Sequence, residues 1–169
     1  MIVTMKQVKS DKFQSSKNNL FFGSTAAIIT NLGLLFGLYS APNAKLAIIG
    51  SMLVIGIADN ISDTLGIHIY QEAEGLSNKK VWVYSMGNYA ARLFVSLLFI
   101  SFVAFLPMPL AFGYCLGAGF VLISFISYSI ARHNKTNPVW AIAEHLGVAL
   151  LVIVISRFMG NLIINKFKL

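Results

Sequence analysis

The sequence predicts an all-α integral membrane protein with five transmembrane helices. Three observations carry that prediction. Of 169 residues, 57% are hydrophobic and only 11% are charged, where a soluble domain carries about 25% charged residues. The apolar residues fall in five long runs rather than amphipathic stripes, and about 20 residues suffice to cross a hydrocarbon core. The basic residues gather at the ends of those runs, where membrane topology places them. Each run is read as a helix, because backbone exposed to lipid has to satisfy its own hydrogen bonds.

The first span covers roughly 20–40, "LFFGSTAAIITNLGLLFGLYS". The 19 residues before it carry Lys6, Lys9, Lys12 and Lys17, like the charged region of a signal peptide. The apolar stretch that follows is too long for a typical cleaved signal, so residues 1–19 are read as a cytoplasmic tail leading into a retained helix. The second span covers roughly 44–74 and opens "AKLAIIGSMLVIGIADN" after the turn signal "APN". The third, roughly 81–106, follows the short connection "GLSNKK". The fourth, roughly 109–131, starts after "PMP", and the fifth, roughly 139–164, follows "RHNKTNP" with Pro138 at its start. The transmembrane domain is therefore expected over 20–165, with a short tail over 166–169.

Charge sets the expected orientation. With the N-terminus inside, Lys6, Lys9, Lys12, Lys17, Lys79, Lys80, Arg132 and Lys135 fall inside, against Lys45, Lys166 and Lys168 outside. That bias favours a cytoplasmic N-terminus and an external C-terminus. The net charge of +7 does not point to nucleic acid, because no basic patch with interleaved aromatics is present. The single cysteine, Cys115, lies inside an apolar run and reads as a small buried hydrophobe, with no zinc-type Cys/His spacing anywhere.

Function is expected where the second span breaks its own rules. In "IGIADNISDTLGIHIYQEAEG", residues 55–75, Asp59 and Asp63 occupy positions that ought to face lipid. Counted from the outer end of the span, Asp59 lies roughly 20 Å along the helix, past the midplane. The four-residue spacing puts both carboxylates on one helical face. Gly66, Tyr70 and Glu74 continue that stripe, which predicts a polar, tightly packed seam running to the inner surface. An ionised residue at the centre of a span costs about 2.5–3.5 kcal/mol on insertion scales, so each carboxylate needs a proton, a metal ion or a cationic partner.

The third span offers one such partner. Ser85, Asn88, Arg92 and Ser96 fall on a single face, and Arg92 lies at the depth of Asp63 if both helices leave the connecting loop straight. Two readings follow. Arg92 pairs with a carboxylate and merely fixes two helices together, or the carboxylates handle a cation or proton. Asp59, Asn60 and Asp63 are the candidate cation ligands, and Arg92 is the charge partner. Thr30 and Asn31 in the first span, Asn88 in the third, and Glu144 and His145 in the fifth are candidate pathway-lining residues. His68 lies about 180° round the helix from Asp59, so one wall of a site does not readily use both. Arg157 is expected to snorkel outward. Gly33 and Gly37, a GxxxG pair, together with Gly23, Gly113, Gly117 and Gly119, permit close helix approach.

Glycine placement and span order then carry a resemblance. "FGSTAAIITNLGLLFGLYSAP", a second span ending in polar residues, and a last span closing in "ISRFMGNLI" resemble the vacuolar iron transporter family over roughly residues 20–165. The resemblance implies five spans, a homodimer, and export of ferrous iron or manganese from the cytosol against protons. It also implies no enzymatic activity and no resident cofactor, the metal being cargo. The departures are clear. Ala26 and Ala27 stand where the family carries an Asp-Gly pair, and the family's Glu- and Met-rich metal-binding helices shrink to a few residues around "GLSNKK". The second-span Met and Gly-Glu of the family fall near Asn60 and Asp63-Thr64. A ligand set of two carboxylates and an amide suits manganese or ferrous iron better than copper or zinc. The expected location is a prokaryotic cell (inner) membrane. Three alternatives stay open: a transporter of another small cation or solute, a non-catalytic scaffold, and a lipid head-group enzyme resembled by the D-x-x-x-D spacing alone.

Overall fold

A computed structural model describes residues 5–167, with side chains from residue 20 onward. It is all helical, with no strand among the described residues: α1 (Met5–Gly37), α2 (Ala44–Ala73), α3 (Asn78–Phe105), α4 (Met108–His133) and α5 (Pro138–Phe167). All five are long and apolar enough to cross a membrane. The five expected spans are therefore present, each within a few residues of its expected bounds. Helix α1 starts at Met5, so much of the N-terminal segment continues the first span as helix instead of breaking from it.

The helix ends follow local chemistry. Pro138 occupies the first position of α5, where its missing N–H is not needed. Gly75 ends the turn after α2 at φ 72°, a left-handed conformation that glycine adopts without penalty. Only residues 74–77 separate α2 from α3, so the two helices form a tight antiparallel hairpin.

Helix α1 is central. It packs along α3 on one side and α5 on another, α2 lies outside on α3, and α4 packs on α5 and α1. The core holds Ile28, Leu32 and Leu35 of α1, Ile48 and Met52 of α2, Phe99 and Val103 of α3, and Ile123 of α4. Cys115 is fully buried in the same core, as its apolar setting predicts. The outward faces are equally apolar: Leu53, Val54, Ile57, Ile61 and Leu65 of α2 are all exposed. Large contiguous apolar surface of that kind has lipid as its natural solvent.

Glycines set the closest approaches. A Cβ on Gly160 of α5 would run into the carbonyl of Gly37, and one on Gly33 would press on Ser156 and Val152. The GxxxG pair of α1 thus lies at its crossing with α5. Gly23 performs the same task against α3, where a Cβ would sit 2.5 Å from Asn88 Oδ1 and 2.7 Å from the Asn88 carbonyl oxygen. Gly113 and Gly117 meet nothing within 4 Å and face outward.

Candidate functional site: a carboxylate pair on a buried arginine

The site is built by the α2–α3 hairpin. On α3 the spacing of Ser85, Asn88, Arg92 and Ser96 puts all four on one face, and all four are buried, with Arg92 only 1% exposed. On α2 the face turned to α3 holds Met52, Gly56, Asn60 and Thr64 at four-residue steps, with Gln71 further along. Gly56 lets the helices close, since a Cβ there would already be 3.5 Å from the Ser96 side chain.

Arg92 holds both aspartates at once. Its Nη2 donates to Asp59 Oδ2 at 2.6 Å and its Nε donates to Asn60 Oδ1 at 2.8 Å. Its Nη1 lies 2.5 Å from Asp63 Oδ2, a charge contact outside hydrogen-bond angles. The expected pairing at matched depth is therefore present, and it takes in both carboxylates. When both are ionised, two negative charges meet one positive charge, and one negative charge remains. The pair is also not enclosed. The Asp59 and Asp63 side chains are 44% and 42% exposed, because they lie on the flank of α2, about 100° from the buried Asn60–Thr64 face.

That placement corrects one expectation. The stripe running from Asp59 and Asp63 through Gly66, Tyr70 and Glu74 is not a packed seam, for Gly66, Tyr70 and Glu74 are all exposed. The packed polar seam lies one residue round the helix, at Asn60 and Thr64. The signal was in the residue sizes: Gly56, Asn60 and Thr64 follow Met52 at four-residue steps as the small and polar part of the buried face.

The remaining candidates divide. Asn31 of α1 donates to Ser96 Oγ at 3.1 Å and to the Ala27 carbonyl at 2.8 Å, tying α1 to α3 one turn from Arg92. Asn88 is fully buried beside Gly23, and neither atom of its amide has a partner. Thr30 turns instead towards α5, in a cleft with Gly33, Val152 and Ser156. Glu144 is exposed. His145 Nδ1 lies 2.7 Å from Ser127 Oγ, joining α5 to α4. Thr30, Glu144 and His145 are thus not brought to the carboxylate pair. Arg157 stacks its guanidinium 4.5 Å from the centre of the Tyr39 ring.

Two residues not counted among the site candidates join the hairpin. Thr64 is 7% exposed and its hydroxyl has no partner. His68 meets α3 after all: its Nδ1 lies 3.3 Å from Ser85 Oγ, its Nε2 lies 3.5 Å from Glu72 Oε1, and its ring packs edge-on against Trp82. It sits on the opposite flank of α2 from the aspartates, and α3 bridges both flanks.

Compared with protein families, with curated proteins and with solved structures, the chain finds no match in any of the three. What stands is a five-helix membrane protein with an ionic cluster inside its second and third spans.

Proposed function

We propose that the chain is a membrane transporter of a small divalent cation, iron or manganese first, on a scaffold of vacuolar iron transporter type. One observation carries the reading: two carboxylates share one buried guanidinium and remain more than 40% exposed. A cluster built only to hold two helices needs one carboxylate per arginine. A second carboxylate leaves a spare negative charge that is costly in a span and useful to a passing cation.

The donor set fits cargo better than a resident metal. Asp59, Asp63 and Asn60 all engage Arg92, so a cation gains them by displacing the guanidinium. Exchange of this kind makes binding reversible, since a carboxylate released by the metal returns to Arg92 or takes a proton. Coupling to protons follows from the same competition. The glycine pattern and span order support the family reading, and with it a homodimer, N-terminus inside, in a prokaryotic inner membrane. A second copy against the α2 flank would cover the half-exposed carboxylates. No step of this reading calls for enzymatic chemistry.

The test is uptake of manganese and ferrous iron into proteoliposomes. Wild type is expected to load metal, and Asp59→Asn and Asp63→Asn are expected to lose uptake at least tenfold while staying folded. Equal uptake in all three would refute the role of the pair. Absence of uptake in a folded wild type would favour the scaffold reading, in which Arg92 and the aspartates only fix the hairpin.

A further inference from the structure

We infer that the cleft among α1, α4 and α5, at the Gly37 end of the bundle, holds one anionic phospholipid. The head-group phosphate sits on Arg157 and an acyl chain lies against the apolar wall beside it. The inference draws on the membrane fold alone and needs nothing from the transport reading. The cleft has a volume of about 690 Å³. Its wall holds Phe36 and Tyr39 from the end of α1, Phe112 from α4, and Val154, Arg157 and Phe158 from α5. Among the described residues that line it, Arg157 alone is charged.

Depth and shape suit a lipid. Counted from Pro138 at the start of α5, Arg157 lies about 29 Å along the helix, and a hydrocarbon core is about 30 Å thick. With Pro138 at one boundary of the core, the guanidinium stands at the other, where head groups begin. Val154, almost one turn deeper, is exposed and apolar, as an acyl chain requires. The floor is already ordered. The Phe112 ring packs edge-on against Phe36 at 5.1 Å and against Tyr39 at 4.6 Å, and Arg157 stacks 4.5 Å from the centre of the Tyr39 ring. A floor fixed in advance lowers the ordering cost of binding.

Charge selects the head group. Stacking on Tyr39 is the one contact Arg157 makes among the described residues, which offer it neither an ion pair nor a hydrogen bond. An arginine near the core without a counter-charge is costly, and its planar fork matches a phosphate bidentately. The acidic side chains closest to this end, Asp59 on α2 and Glu144 on α5, lie about 20 Å down their helices. Lys45 and Lys166 stand at the same end and add positive charge. Asn161 in the wall accepts from Ser40 Oγ at 2.9 Å through Oδ1, which leaves its Nδ2 as a further donor. A zwitterionic head group brings an ammonium that finds no carboxylate here. A lipid of net negative charge has no such misfit.

The test is native mass spectrometry of the full chain released from nanodiscs of phosphatidylglycerol and phosphatidylcholine with matched acyl chains. Wild type is expected to keep one phosphatidylglycerol and to prefer it about tenfold, the worth of one charge-assisted hydrogen bond. Arg157→Gln is expected to abolish the preference. Lys166→Gln, which removes the same charge outside the cleft, is expected to leave it intact. Val154→Trp fills the cleft and is expected to lose the retained lipid with helix content unchanged. Equal retention of the two lipids by wild type, or an undiminished preference in Arg157→Gln, would overturn the proposal. Release of the lipid by inorganic phosphate alone would overturn the acyl-chain half of it, leaving an anion site. A lipid-free dimer that Val154→Trp dissociates would assign the cleft to a second copy of the chain instead.

Discussion

Two helix contacts in this molecule solve one problem by opposite means. Where α1 crosses α5, the chains meet through bare backbone: Gly160 lies so close to the Gly37 carbonyl that no Cβ fits. Where α2 meets α3, they meet through an arginine that is 1% exposed and two carboxylates. Lipid tails are as apolar as leucine, so helix association in a bilayer draws on packing and polar contacts. The glycine contact needs only packing. The ionic contact carries a desolvation cost that packing would have avoided. The fold has the inexpensive solution at one crossing and a spare carboxylate at the other, and the proposed cation transport gives that carboxylate a use.

The comparison breaks most visibly at Arg92. Arg92→Leu leaves Asp59 and Asp63 without their cation; because both carboxylates are half-exposed, the loss is expected to fall below that of a fully buried pair, at about 2–3 kcal/mol. Reversible unfolding in mixed micelles is expected to show that loss. Adding Asp59→Asn and Asp63→Asn to the same chain is expected to recover most of it. A single Arg92→Leu variant as stable as wild type would mean that the cluster holds nothing.

The glycine contact fails next. Gly160→Ala drives a methyl group into the Gly37 carbonyl, and overpacking of this kind costs about 1–3 kcal/mol. Gly50→Ala on the outer face of α2, where a Cβ meets nothing within 4 Å, is expected to stay within about 0.5 kcal/mol of wild type. The same unfolding measurement checks both, and equal losses would show that the crossing is looser than the structure has it.

Much of this was legible in the sequence because membrane spans announce themselves by length and composition. The five helices follow from length and composition, the Pro138 start from proline's missing N–H, the burial of Cys115 from its apolar run, and the α3 face of Ser85, Asn88, Arg92 and Ser96 from periodicity. The pairing of Arg92 with the aspartates followed from counting outward along a short hairpin. The face of α2 was less legible. Asp59 and Asp63 drew attention as charges, yet packing is decided by the small and apolar neighbours, Met52 and Gly56, which turn Asn60 and Thr64 inward and leave the aspartates on the flank. His68 was set aside on angle relative to Asp59, although a second helix reaches both sides of the first. The contact of Gly23 with Asn88 joins residues far apart in the chain, and one sequence holds no trace of it.

Asp63→Asn sharpens the contrast between cohesion and function. It removes the spare negative charge and leaves Asp59 on Arg92, so the unfolding midpoint is expected to stay level or rise while metal uptake falls at least tenfold. Parallel loss of both would assign the residue to architecture. The smallest effect belongs to Asn31→Ala, which removes one hydrogen bond between α1 and α3. Interhelical bonds in membranes average about 0.6 kcal/mol, and the unfolding midpoint is expected to move by that order, with uptake unchanged.

Under the proposed function a cation takes the aspartates from Arg92. Manganese is paramagnetic, so the most direct measurement is relaxation of the Arg92 side-chain NMR signals in lipid nanodiscs as manganese is added. The account predicts saturable broadening of the Arg92 Nε and of the Asp59 and Asp63 carboxyl signals, abolished in Asp63→Asn. Sharp signals at all three residues through a full manganese titration of folded protein would contradict it.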